Sequence, residues 1–186
     1  MFARHADMTN RRRISSLASI ILLPALFLTG CGDDDSTTGP SSAPLIFSAV
    51  LRPANEVPPV SNAEQSGFGS VQVQMNVTRG AGDAITAATA QFYFDLTRFP
   101  EGTTVVGAHI HPGAFGVNGP VTVNSTLSAA RPAVVSGGNV VYESPVVTVD
   151  PVTAQAIINN PAGFYFNTHS TLNPGGVARG QLERVR

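Results

Sequence analysis

Lysine is absent from the 186 residues, cysteine occurs once and histidine four times. Each scarcity closes off a class of function. All eleven basic residues are arginine, and four of them fall within 1–30, where there is one acid. Residues 31–186 therefore keep seven Arg against eleven acids, a net charge of about −4 with His neutral. A mildly acidic surface without clustered basic charge does not suit nucleic acid or an anionic bilayer. One cysteine cannot make an internal disulfide, so stability must come from an apolar core. The roughly 140 residues from Pro44 onward are enough to bury one as a single domain. After residue 30 no apolar run reaches the ~20 residues of a membrane-spanning helix. From residue 44 onward there is no Gly-x-Ser-x-Gly elbow and no adjacent pair of carboxylates, so neither nucleophilic nor paired acid–base catalysis is signalled.

What is present begins with a targeting pattern. Arg11-Arg12-Arg13 precede an apolar run from Ile14 to Leu28, long enough for a secretory h-region and short for a membrane span. The run ends in Leu28-Thr29-Gly30-Cys31, which resembles a bacterial lipobox, with the chain's only cysteine at the position that receives the lipid. Residues 1–30 are expected to be a lipoprotein signal peptide, with covalent lipid on Cys31. The chain would then be held at the membrane by that anchor alone, in the bacterial cell envelope. Gly32 rather than Asp follows Cys31, so one inner-membrane retention signal is lacking, and resemblance to enterobacterial lipoproteins favours the outer membrane. Residues 31–43, rich in Asp, Ser, Thr, Gly and Pro, read as a flexible stalk.

From residue 44 to 186 the chain reads as short strands separated by turns. Leu45–Leu51 is the first. Val71, Val73, Met75 and Val77 alternate with polar residues, the period of two that marks an antiparallel sheet with one wet face. Gly80-Ala81-Gly82-Asp83 supplies a turn into Ile85–Phe99, which predicts a hairpin. Strands are further predicted over Val105–His111, Val121–Leu127, Val140–Val149, Phe164–His169 and Val177–Arg184. Asp150-Pro151 opens a short helix through Ile158, an N-cap followed by proline at the first helical position. No repeat of solenoid length occurs. The expected fold is all-β: a single antiparallel Greek-key β-sandwich of about eight strands with one short helix.

The chemistry concentrates in histidine. His109 and His111 share one face of an extended strand, because side chains repeat every second residue. His169 ends another strand. If those ends meet, three imidazoles converge and supply nitrogen ligands at about 2.0–2.1 Å to zinc, or to copper, with a position left open. Otherwise the same rings are hydrogen-bonding groups that close loop ends on carbonyls around Gly113 and Asn167. Arg179 is read either as an anion-steering residue at that spot or as an ion-pair partner of Glu56, the second being favoured. Phe164 and Phe166 share a face and read as core.

Five blocks, in order, carry a resemblance to the CHRD (chordin) domain family. They are Asn55-Glu56-Val57-Pro58-Pro59-Val60, Gly67-Phe68-Gly69, Ala108-His109-Ile110-His111-Pro112-Gly113, Phe164-Tyr165-Phe166-Asn167-Thr168-His169, and Asn173-Pro174-Gly175-Gly176 through Arg179-Gly180-Gln181-Leu182. The resemblance implies a secreted or surface-exposed β-sandwich and no particular reaction; Glu56, Asn167 and Arg179 fall in its blocks as site-supporting residues. Val177-Ala178 departs from the family pattern, where an acidic and then an aliphatic residue are expected. A fainter resemblance is to copper-zinc superoxide dismutase, through His109-Ile110-His111 followed by Phe115-Gly116, with Gly175-Gly176 and Arg179 near a C-terminal turn. That family uses more histidines than remain after residue 30 here, and a disulfide. An immunoglobulin-like or dismutase-like sandwich is the architecture both imply.

Two functional readings follow. The favoured one is a lipid-anchored, non-catalytic binding module facing an envelope or extracellular protein or polymer. The alternative is a copper- or zinc-binding protein with a metal-storage or dismutase-like redox role through His109, His111 and His169, in which case it would be a copper-dependent oxidoreductase.

Overall fold

The computed structural model describes residues 43–185. The expected signal peptide, Cys31 and the stalk as far as Ser42 lie outside the described residues. Within them, alternation is realised as strand pairing. β1 (Leu45–Leu51), β2 (Phe68–Arg79) and β3 (Ile85–Thr97) run antiparallel in succession, and the expected hairpin is the β2–β3 pair. Val71 lies opposite Phe94 and Val73 opposite Phe92, so the apolar half of each strand lands on the same side.

β4 (Thr104–Pro112) begins the second sheet. Short pieces follow: β5 (Val123–Asn124), β6 (Ala133–Val134), β7 (Asn139–Glu143) and β8 (Val147–Val149). After α1 (Pro151–Asn159) come β9 (Phe164–Ser170), β10 (Ala178–Gln181) and β11 (Glu183–Arg184). One sheet has the order β11-β1-β2-β3-β7, with β8 also on β3. The other has the order β10-β9-β4-β5, with β6 on β4. The two pack face to face as an antiparallel β-sandwich with one short helix. Phe166 of β9 meets Phe92 and Phe94 of β3 at ring-centroid distances of 5.7 and 5.9 Å, joining the sheets through the core.

Several expected elements are shorter or divided, each for a local reason. Val121–Leu127 pairs only at Val123–Asn124, because the Asn124 side chain accepts the Thr126 N–H at 2.7 Å and Thr126 takes a positive φ of 71°. Val140–Val149 is interrupted at Ser144-Pro145. Proline has no N–H to give, and the Ser144 hydroxyl oxygen accepts the Phe92 N–H in place of a backbone carbonyl. Val177–Arg184 splits at Leu182, a fully buried side chain where the chain leaves the second sheet for the first. The helix forms as expected, Asp150 Oδ2 accepting from the Thr153 N–H, and it runs one residue beyond Ile158.

One irregularity positions the site. In β4, Val105 faces the core, but so do Ala108 and Ile110, which strict alternation forbids. The pairing with β9 shifts between Val105 and Gly107, and this β-bulge absorbs the extra residue. Beyond it, His109 and His111 face outward from the sandwich.

Candidate metal centre

The outer face of the second sheet carries the chemistry. On β9, Phe166 and Thr168 turn inward, so Tyr165, Asn167 and His169 turn outward. The register sets His169 opposite Gly107, Asn167 opposite His109, and Tyr165 opposite His111. Arg179 of β10 lies opposite Asn167, extending the same row. This face is covered by loops from 53–62, 113–122 and 172–177, which is why Asn167, Tyr165 and Arg179 are as buried as core residues.

The three histidine rings come together. Centroid distances are 5.0 Å between His109 and His169, 5.7 Å between His109 and His111, and 6.3 Å between His111 and His169. One ligand nitrogen from each ring lies within 4.8 Å of the others. Gly107 makes room for them: a Cβ there would sit 3.1 Å from His109 Cε1 and 3.4 Å from His169 Cδ2.

Backbone carbonyls fix two of the tautomers. His111 Nδ1 is 3.0 Å from the Gly119 carbonyl oxygen, and His169 Nδ1 is 2.9 Å from that of Pro174. A carbonyl only accepts, so each Nδ1 carries the proton and donates it. Each Nε2 is left with a free lone pair. His111 Nε2, His169 Nε2 and His109 Nδ1 are all buried and have no hydrogen-bond partner. Buried polar atoms are ordinarily satisfied, so three orphaned nitrogens in one cluster need an explanation. Lone pairs held ready for a cation provide one, and an Nδ1–H given to a carbonyl is how metal-bound imidazoles are ordinarily oriented.

Electrostatics agree. Burial lowers the pKa of His109 from 6.5 to about 4, with the neighbouring His169 and His111 adding to the effect. His111 is lowered chiefly by burial, against the hydrogen bond to Gly119, and His169 likewise against that to Pro174. The cluster therefore favours neutral imidazoles, the form that binds metals.

Glu56 and Arg179 flank the centre but do not form the expected ion pair. The Arg179 guanidinium donates to Asn118 Oδ1 at 3.0 Å, to the Ala114 carbonyl at 3.2 Å and to the Val117 carbonyl at 2.6 Å, and it lies 3.4 Å over the Tyr165 ring. At 1% exposure it makes no direct contact with solvent, and its charge acts on Glu56 without an ion-pair contact. Glu56 rests on Gly176, where a Cβ would lie 2.5 Å from Oε2. Burial raises its pKa from 4.5 to about 7, opposed by the Arg179 charge and by a hydrogen bond from Asn167. Asn167 thus stands between Glu56 and the histidines, and its Oδ1 has no partner.

Sequence reasoning missed Gly107, Asn118, Gly119, Tyr165 and Pro174. Tyr165 could have been found: with Phe166 facing the core, its neighbours on the strand must face the histidines. Ser170 faces inward, its hydroxyl donating to Glu64 Oε2 at 2.6 Å, and is no nucleophile for His169. A groove of about 460 Å³, lined in part by Ser70, Tyr93, Asp95 and Val141, lies on the first sheet, away from the imidazoles.

Fold and site together define an all-β sandwich module with a cluster of three neutral imidazoles on its outer face, beneath loops. The model of the CHRD domain matches residues 47–182, and the chain belongs to that family. No curated protein and no solved structure matches it.

Proposed function

We propose that this CHRD domain binds a transition-metal ion, copper or zinc, through His109 Nδ1, His111 Nε2 and His169 Nε2, and that it does so as a lipid-anchored protein of the bacterial cell envelope. The observation that carries the reading is one buried, partnerless nitrogen on each of three imidazoles, in a cluster whose ligand atoms, one per ring, come within 4.8 Å of one another. Bound zinc or copper needs them about 3.4 Å apart for bonds near 2.0–2.1 Å, a closure within reach of small side-chain rotations. Imidazole suits zinc, copper and nickel better than magnesium or calcium, which prefer oxygen. The reading assigns storage or carriage of the ion, not a reaction. The lipid anchor rests on the lipobox-like Leu28-Thr29-Gly30-Cys31.

The competing reading, a metal-free interaction module for an envelope protein or polymer, draws support from Phe115 and Val117, 70% and 54% exposed on the loop over the histidines. One experiment separates the two. The protein is purified from envelope fractions without added metal, beside a His109→Ala/His111→Ala variant, and metal content is measured by mass spectrometry. Near-stoichiometric copper or zinc, lost in the folded variant, supports the metal reading. Absence of metal from the wild type, with no uptake on titration with Zn(II) or Cu(I), leaves the interaction module.

A further inference from the structure

Arg179 is the largest fully buried side chain of the described domain, and among the described residues no carboxylate lies within ion-pair contact of it, although its charge reaches Glu56. Burying an unpaired guanidinium is costly, so its contacts indicate what it is kept for. All three hydrogen bonds of its guanidinium go to a single loop, at Ala114, Val117 and Asn118. Its planar face lies on Tyr165, the ring against which His111 stacks at 4.9 Å with only 6° between the planes. The same two partners meet again at Gly119. Its N–H donates to the Tyr165 hydroxyl at 3.2 Å, and its carbonyl accepts from His111 Nδ1. Loop and ring therefore form a closed circuit that begins at Arg179 and ends at His111.

We infer that Arg179 is a positioning residue of the three-histidine centre: through the 114–119 loop and the Tyr165 ring it holds His111 in the Nδ1–H tautomer, with Nε2 turned toward His109 and His169. Its effect on metal affinity rests on the metal-binding reading, whereas tautomer control is a property of the metal-free protein. A planar fork can bond three acceptors on one loop while stacking on a ring; a lysine ammonium keeps the charge but cannot do both.

The test uses the full chain in detergent, labelled with ¹⁵N at histidine. Ring-nitrogen shifts report the His111 tautomer without metal, and titration with Zn(II) and with chelator-buffered Cu(I) reports affinity. Arg179→Gln, folded by circular dichroism, should show His111 as a mixture of both tautomers and bind each ion about 10- to 100-fold more weakly. Arg179→Lys should not rescue it. Tyr165→Phe, which keeps the ring but removes the Gly119 anchor, should shift both readouts the same way by less; Tyr165→Phe and Asn118→Ala decide the matter if Arg179→Gln does not fold. A single Nδ1–H tautomer and unchanged affinity in the folded variants would overturn the proposal, as would full rescue by lysine. If the wild type binds neither ion, the metal reading fails, and the tautomer comparison still decides the role of Arg179.

Discussion

Gly107 is where one carbon atom decides whether the imidazoles can meet. It stands opposite His169 and next but one to His109, and the space a side chain would take is filled by those two rings. Gly107→Val should leave the apolar core intact and push the rings apart. The expected result is a folded protein with at least tenfold weaker Zn(II) binding, read by competition with a chromophoric chelator; equal affinity would show that the rings close elsewhere. Glu56 and His109 give the residue scale its pH dependence, with opposite signs. Glu56 is held up to about 7, so the native state keeps a proton that the unfolded chain releases from about 4.5. Its stabilising contribution is full below 4.5 and is lost as pH rises to 7. His109 is held down to about 4, so its contribution is present above 6.5 and lost as pH falls toward 4. In metal-free protein, Glu56→Gln should therefore gain Tm relative to wild type as pH rises from 4.5 to 7, with no further gain above. A difference that stays flat across that window would mean Glu56 titrates as an ordinary exposed acid.

At the scale of elements, the decisive devices are a bulge in one strand and a crossing at the end of the chain. The His-x-His face was legible from strand periodicity, and so was the helix, from Asp150-Pro151. The bulge was not. Val105-Val106-Gly107-Ala108 contains only apolar or small residues, so nothing in the pattern marks where inward and outward exchange. The crossing was hidden for the opposite reason: Ala178, Gly180 and Leu182 keep a period of two, and the sequence reads as one strand where the chain pairs first with β9 and then with β1. The contacts of Arg179 were also illegible, because its partners lie more than sixty positions away in a loop without periodicity. Leu182, buried at the crossing, supports both sheets at once. Leu182→Ala should destabilise the domain by about 2–5 kcal/mol in urea unfolding. Metal stoichiometry should be unchanged at 4 °C, since the histidines face away from that cavity. Loss of metal with little loss of stability would contradict this division.

For the whole molecule, attachment and function are separable expectations. Cys31→Ser should abolish incorporation of radiolabelled palmitate and release the protein from the membrane fraction, while metal content per folded chain stays the same. Retention of label in that variant would place the lipid elsewhere. The sandwich itself owes nothing to an ion: its core is closed by Phe47, Phe92, Ile110 and Phe166 on the opposite side of the sheet from the imidazoles. Metal-free protein should therefore be fully folded, and added Zn(II) should raise its Tm only by mass action, in proportion to the logarithm of its concentration above Kd.

Putting the nitrogens outside the sandwich has a kinetic corollary. A cation trapped between two sheets could leave only when the fold opened, on the slow clock of global unfolding. Here the exit lies past three surface segments, whose rearrangements take nanoseconds to microseconds. If the domain holds an ion as proposed, it would hand that ion to a stronger chelator and be refilled many times within the lifetime of one folded molecule.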